Sequence, residues 1–247
     1  MIHASLFTGA CGGFDLAAEW CGWENSFQVE ILPEARKRLR QNFPTAIQYD
    51  DVRTFNGQPY HGQIDVLTGG FPCQDLSRAG RGVGLDGDRS GLWFEFERII
   101  GEVRPGYVVI ENSPRLLVLG FERVLSGLAR LGYDAKWAVV RASDYGAPHQ
   151  RERLYTIAYT NGNGRNAIPN WPECLTENGK LADWNHYQHG RIAPAEAGYE
   201  AWRPALTELS RLDDGLPGPL AKTEMHGYGN AIVPQIAHRI FQAIDNA

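Results

Sequence analysis

The feature that most constrains the fold is an alternation. Over roughly the first 160 residues, short apolar runs take turns with stretches of helical spacing, the sequence mark of β-α-β units and of a mainly parallel sheet. The runs HASLF (3–7), FQVE (27–30), DVLTG (65–69), YVVIE (107–111), KWAVVRA (136–142) and RLYTIAY (153–159) read as strands. Between them GFDLAAEWCG, PEARKRLRQNF, GLWFEFERIIGEV and FERVLSGLARLG carry helix-like spacing. The expectation is an α/β protein with a doubly wound, mainly parallel sheet. Past Tyr159 the pattern stops, and the stretch to about residue 225 is rich in Asn, Gly, Pro and Trp with no sustained period. The end, GNAIVPQIAHRIFQAIDNA, is amphipathic again, with Ile232, Ile236, Ile240 and Ile244 four apart, and should pack on the large unit. The chain thus divides into a large domain over 1–160, a short irregular region over 161–225, and a helix over 226–247 that returns to the large domain.

A chain of 247 residues can bury a full core. No apolar run reaches the roughly 18 to 20 residues that a membrane helix needs. MIHASLFTGACGG lacks a basic leader ahead of a long apolar stretch and reads as a strand rather than a secretory signal; a cytoplasmic protein is expected. Cys11, Cys21, Cys73 and Cys174 are scattered without a CxxC pair, which disfavours a zinc site and a disulfide framework. A net charge of -5 does not advertise a phosphate-binding surface. The basic residues nevertheless cluster as Arg36, Lys37, Arg38 and Arg40, then Arg78, Arg81 and Arg89, then Arg151 and Arg153, so charge can be segregated by face.

SLFTGACGG leaves the first strand and opens the first helix with Gly9, Gly12 and Gly13. Backbone amides and a helix N-terminus can approach a polar ligand closely at such a place. The stretch lacks the GK[ST] of a P-loop and does not fit GxGxxG, which disfavours a nucleoside triphosphate or NAD. Glu30 ends the second strand and Asp51 is placed after a third, where carboxylates can accept hydrogen bonds from a ribose and an adenine amine. All three fit a ligand with an adenosine and a polar tail. Cys73 follows VLTGGFP, in the loop at a strand's C-terminal end, where open α/β sheets keep their sites. Most lone cysteines are small core residues, and Cys11, Cys21 and Cys174 are read that way. Cys73 differs because its neighbours are glycine, proline and polar groups. Glu111, at the tip of the strand in YVVIENS, is aimed at the same rim, so a thiol and a carboxylic acid face one crevice.

FTGACGG, GGFPCQDLS, ENS, RER and GNAIVP, in that order across nearly the whole chain, resemble the DNA (cytosine-5) methyltransferases. The resemblance implies a Rossmann-like, S-adenosylmethionine-dependent methyltransferase fold and a cytosine flipped out of double-stranded DNA. It also implies a target-recognition domain between RER and GNA, here the irregular stretch. Cys73 would be the nucleophile at cytosine carbon 6 and Glu111 the acid at N3, with a raised pKa for the acid and a lowered one for the thiol. Arg153 would hold the cytosine O2 and steady Glu111, Arg151 would support the catalytic loop, and Asn112 would fix the strand end. On the cofactor side the resemblance puts Phe7 against the adenine, Glu30 on the ribose hydroxyls, and Asp51 with Val52 at the adenine edge. Gly9, Gly12 and Gly13 form the loop, and Pro72, Leu92 and Asn230 complete the pocket. Gln74, Ser77, Arg78, Arg81 and Arg89, in the loop that would close over the gap, are the DNA contacts it suggests. The expected protein is a monomer, and the sequence leaves open whether a cognate restriction endonuclease acts separately beside it.

Two other readings stay open: methylation of an RNA cytosine by the same catalytic pair, and a non-catalytic DNA-binding homologue. The chain departs from the family pattern where Ala10-Cys11 lengthens the first motif by one residue, where His149 stands for a glutamine, and where Ser113 stands for a valine. The recognition region is short for the family. His186 and His189 lie three apart but have no further ligands placed nearby, so no metal is expected. Trp171, Trp184 and Trp202 could stack on bases, although filling the core of a small domain is the commoner use.

Overall fold

Strands covered on both faces read as continuous apolar runs. Val66–Gly69 (β4) and Tyr107–Asn112 (β5) are buried at every position and lie in the middle of the sheet. The structure is a computed structural model that describes residues 1–72, 91–145, 151–160 and 232–247. Within these, the remaining strands are Ile2–Leu6 (β1), Glu24–Val29 (β2), Ile47–Tyr49 (β3), Tyr133–Arg141 (β6) and Glu152–Thr160 (β7). They form one seven-stranded sheet in the order β3-β2-β1-β4-β5-β7-β6. β1 to β5 pair in parallel, and β7 runs antiparallel between β5 and β6. This is the mainly parallel, doubly wound sheet the alternation predicts. β3 spans only three residues, too few to register as an apolar run.

Successive residues of a strand point to opposite faces, and the two halves of the core follow that rule. Leu67, Val108 and Ile110 face a cluster with Trp93, Phe96, Ile99 and Ile100 of helix α3 (Leu92–Val103) and Val124 and Leu128 of α5 (Phe121–Arg130), which follows the short α4 (Leu116–Leu119). Val66, Tyr107 and Val109 face the other cluster, with Phe14, Ala17 and Ala18 of α1 (Gly13–Trp20) and Ile236, Ile240, Phe241 and Ile244 of α6 (Pro234–Asp245). α2 (Pro33–Asn42) buries Leu39 against Phe43 and Ala46. The four-residue spacing suggested that the last helix takes in Ile232. Instead α6 begins at Pro234, where a missing N–H leaves no helical bond unmade. Ile232 lies ahead of it, with its carbonyl 2.7 Å from where a Cβ on Gly13 would sit.

Beneath the first loop runs a buried polar network. His3 bonds Asn25 (2.7 Å) and Thr68 (2.9 Å) through its two ring nitrogens. The Asp15 carboxylate accepts from Ser5 (3.0 Å) and Gln28 (2.9 Å), and Ser5 also bonds Thr8 (2.8 Å). Burial pushes the Asp15 carboxyl up and the His3 imidazole down from their ordinary values. With partners for each group the network costs little and ties β1, β2, β4 and α1 together.

Phe241 is fully buried and packs 4.5 Å from Trp23 and 6.2 Å from Phe14, ring centre to ring centre. Phe241→Ala should therefore lower the stability to urea by about 3–5 kcal/mol. A loss below about 1 kcal/mol would show that α6 is not part of the cooperative unit.

Candidate active site

The register of the sheet assembles the site. Val29, Leu6, Gly69 and Ile110 are partners across β2, β1, β4 and β5. The residues one step further along, Glu30, Phe7, Gly70 and Glu111, therefore stand side by side at the carboxyl rim. β1 sends its chain to β2 on one side and is flanked by β4 on the other, so the rim lies at the topological switch point where open sheets bind ligands.

On the β4–β5 side the centre is Glu111, 7% exposed. Arg153 Nε donates to its Oε1 at 2.9 Å, because the antiparallel pairing of β7 puts Leu154 opposite Asn112. Oε2 lies 3.0 Å from where a Cβ on Gly70 would be, so a side chain there would press on the carboxyl. Burial raises the Glu111 pKa to about 7, and Arg153 and Arg151 hold it from going higher. Burial and the neighbouring Arg153 in turn push the Arg151 guanidinium below its ordinary value, while Glu111 acts in the opposite sense. Arg151 has a φ of 26°, a left-handed backbone that side chains other than glycine seldom adopt. Asn112 is buried, donates through Nδ2 to the Phe71 carbonyl (3.2 Å) and accepts the Ser113 N–H (2.8 Å). It thus fixes Gly70-Phe71-Pro72, the segment that leads to Cys73, against the end of β5.

On the β1–β2 side Phe7 has a φ of 53° and sets its half-buried ring 6.0 Å from Phe96. Gly9 and Gly12 are left-handed too, at 70° and 55°, and Ala10-Cys11 lies between them. A Cβ on Gly9 would meet nothing within 4 Å, so the loop opens outward there, whereas Gly12 is pressed on Phe43 and Gly13 on Ile232. Glu30 is buried and accepts the Gly9 N–H through Oε2 (2.8 Å) and the Leu32 N–H through Oε1 (2.9 Å). Asp51 is taken by Arg53, whose Nη2 donates to Oδ2 at 2.6 Å and whose backbone N–H donates to Oδ1 at 2.9 Å. That guanidinium holds the Asp51 carboxyl below its usual range. Val52 is buried and Leu92, at the start of α3, is half-buried on the core. An open left-handed glycine loop, a half-buried aromatic ring and two carboxylates at successive strand ends fit an adenosine-bearing ligand.

Among the expected site residues the structure thus brings together Phe7, Gly9, Gly12, Gly13 and Glu30 at one end of the rim and Pro72, Glu111, Asn112, Arg151 and Arg153 at the other. Asp51, Val52 and Leu92 belong to elements beside β2 and β4. Cys73, Gln74, Ser77, Arg78, Arg81, Arg89 and Asn230, together with His149, the paired histidines and the three tryptophans of the irregular stretch, lie outside the described residues. Three residues escaped the motif reading. Ile31, 56% exposed beside the buried Glu30, holds an apolar side chain out at the rim. Arg53 occupies Asp51, and Arg98 reaches the Val52 carbonyl from α3 (2.8 Å). Glu95, Arg98 and Glu102 stand three and four apart in GLWFEFERIIGEV, a spacing that signals paired charges on one helix face.

The C-5 cytosine-specific DNA methylase family matches residues 1–201. The type II methyltransferase M.NgoMIV of Neisseria gonorrhoeae is 36% identical over 178 residues, 68% of this chain and 54% of its own length. M.Eco47II of Escherichia coli is 35% identical over 173 residues, 68% of this chain and 41% of its own. The chain spans about half or less of the length of the curated relatives it matches. Among solved structures, the S. pombe Dnmt2 methyltransferase aligns with a TM-score of 0.68 at 16% identity, covering 100% of this chain and 98% of that one. The Entamoeba histolytica methyltransferase EhMeth aligns at 0.66 and 14% identity over the same shares. Both share this chain's fold.

A carboxyl signal from Glu111, followed by carbon-13 NMR, should titrate near pH 7, against about 4.3 for a free glutamate. Arg153→Gln should move the midpoint higher, since the guanidinium favours the ionised form. Between the two values the folded chain keeps a proton that the unfolded chain has lost, so stability should fall as pH rises from about 4.3 to 7. Glu111→Gln should flatten that slope; a wild-type midpoint in the ordinary carboxylate range would contradict the assignment.

Proposed function

We propose, from the premise that the chain belongs to the C-5 cytosine-specific DNA methylase family, that it methylates carbon 5 of a cytosine flipped out of duplex DNA. One observation carries the reading: a buried carboxyl with a pKa of about 7 is paired with Arg153 at the strand end to which Asn112 fixes the segment that leads to Cys73. A pKa there lets Glu111 hold a proton at neutral pH and share it with the cytosine N3. Protonation at N3 draws electrons from the ring, so that the Cys73 sulfur can add at carbon 6 and turn carbon 5 into an enamine nucleophile. Arg153 keeps the carboxyl oriented and offers its remaining N–H groups to the cytosine O2; Arg151 adds positive charge beside it. Gly70 leaves the space in which the pyrimidine edge can reach Oε2.

S-adenosylmethionine, when bound, supplies the methyl group. Phe7 would flank its adenine, Glu30 would take the ribose hydroxyls, Asp51 and Val52 would meet the adenine edge, and Gly9, Gly12 and Gly13 would turn the chain around its polar tail. Pro72, Leu92 and Asn230 would complete the pocket. After carbon 5 is methylated, loss of its proton and expulsion of the Cys73 sulfur restore the aromatic ring. Residues 161–225 would read the target sequence, with Gln74, Ser77, Arg78, Arg81 and Arg89 on the DNA backbone. The relatives named type II methyltransferases support a restriction-modification setting, in which the protein works as a cytoplasmic monomer beside a separate endonuclease.

A duplex carrying 5-fluorocytosine tests the reading, because fluorine cannot leave as the proton does. Mixed with S-adenosylmethionine, the protein should form a covalent complex that survives denaturing electrophoresis, and Cys73→Ser should abolish it. Methyl transfer should be seen with duplex DNA and not with tRNA. Transfer to tRNA alone would give the site to RNA, and a wild-type chain that binds DNA yet forms no adduct would be a non-catalytic homologue.

A further inference from the structure

Residues 51–57 link the short β3 to the 3-10 turn at Gln58–Tyr60. Inside this link the backbone closes on itself through Thr54 and Phe55 N–H groups, both donated to the Asp51 carbonyl. Its Val52 and Phe55 side chains are buried in the core, and its backbone is held by one face of α3. Arg98 Nη2 donates to the Val52 carbonyl at 2.8 Å and Nη1 to the Phe55 carbonyl at 3.1 Å. The same guanidinium is gripped on its own helix by Glu95 (2.8 Å) and Glu102 (2.7 Å). The second oxygen of Glu102 accepts the Gly57 N–H at 2.8 Å. Two side chains thus hold the link at three backbone points, Val52 O, Phe55 O and Gly57 N.

We propose that Arg98 is a positioning residue for S-adenosylmethionine: it sets the adenine-edge loop, and with it Asp51 and Val52, from helix α3. This rests on the cofactor reading given above. Holding the Val52 and Phe55 carbonyls fixes the peptide planes on both sides of the turn, which leaves Asp51 and Val52 few directions in which to face. The planar fork is essential, because four N–H groups must reach two carboxylates on the helix and two carbonyls off it; a lysine ammonium is a point charge with no such spread. Ion pairs along a partly exposed helix face contribute little by themselves. The two contacts that leave the helix are the ones that act on the ligand, and they do so by sparing it the cost of ordering the loop.

Calorimetric titration of the full chain with S-adenosylhomocysteine and, separately, with adenosine tests the assignment. The wild-type protein must bind the first; if it does not, the cofactor reading fails, independently of Arg98. Given binding, Arg98→Gln should raise Kd about tenfold for both ligands, the size expected from losing one or two hydrogen bonds. Arg98→Lys should recover only part of this, and Glu95→Gln, which leaves both carbonyl contacts in place, should bind as the wild type does. Near-UV circular dichroism reports whether each variant is folded. Should Arg98→Gln not fold, Glu102→Gln carries the same expectation at about threefold. Folded variants with wild-type Kd, or full recovery by lysine, would overturn the proposal.

Discussion

A shared register is the constraint on which the site depends. Parallel strands pair at fixed offsets, so that Val29, Leu6, Gly69 and Ile110 form one row, and whatever follows each of them emerges at the same height. Two carboxylates, an aromatic ring and a bare glycine, contributed by residues as far apart as 7 and 111, come together through this row alone. No loop has to carry any of them to its place. A slip of one residue in any of these strands would send each side chain to the opposite face of the sheet, so the packing that secures the core on both faces also secures the arrangement of residues at the rim.

At the β5 end of the row, burial and charge oppose each other. A carboxyl out of water resists ionisation, and a guanidinium at 2.9 Å favours it. Had burial acted alone, Glu111 would hold its proton too firmly to give it up; had the arginines acted alone, it would have none to give at neutral pH. The outcome near 7 lies where a group can do both. A side chain at Gly70 would press on this carboxyl, just as a Cβ at Gly12 and Gly13 would press on Phe43 and Ile232. Ile232 also lies 3.9 Å from the Cβ position of Gly70, so the segment leading into α6 touches both ends of the site.

Much of this was legible in the sequence, for identifiable reasons. β4 and β5 are buried on both faces, so their runs are uninterrupted and their ends unambiguous, which put Gly70 and Glu111 at a strand tip before any coordinates. β3 was invisible as a run because three residues carry no period. The start of β6 at Tyr133 was hidden because most of that edge strand is exposed or half-exposed, and its polar residues broke the apolar pattern. Ile232 fell into step with Ile236 and Ile240 by spacing, yet Pro234 sets the first turn of the helix, and Ile232 lies ahead of it against the start of α1. The contribution of Arg98 could not be read from its motif. Its charge partners are local, three and four residues away, whereas the carbonyls it holds lie more than forty residues upstream, and backbone acceptors leave no mark in a sequence.

The two acids assigned to the adenosine differ in what they have left to offer. Among the described residues each oxygen of Glu30 accepts a single backbone N–H, from Gly9 and from Leu32, which leaves each a second lone pair. Glu30 holds the glycine loop in place, and on the proposed cofactor reading it would accept ribose hydroxyls at the same time. Asp51 is more committed. Its Oδ1 accepts both the backbone and the Nε of Arg53, and its Oδ2 accepts Nη2 and shares Nε. Neither oxygen keeps more than a share of one lone pair, and on the proposed cofactor reading an adenine amine would have to approach from the side away from the guanidinium. On the proposed cofactor reading, the Arg53 side chain, 59% exposed, would thereby limit how the base can lie.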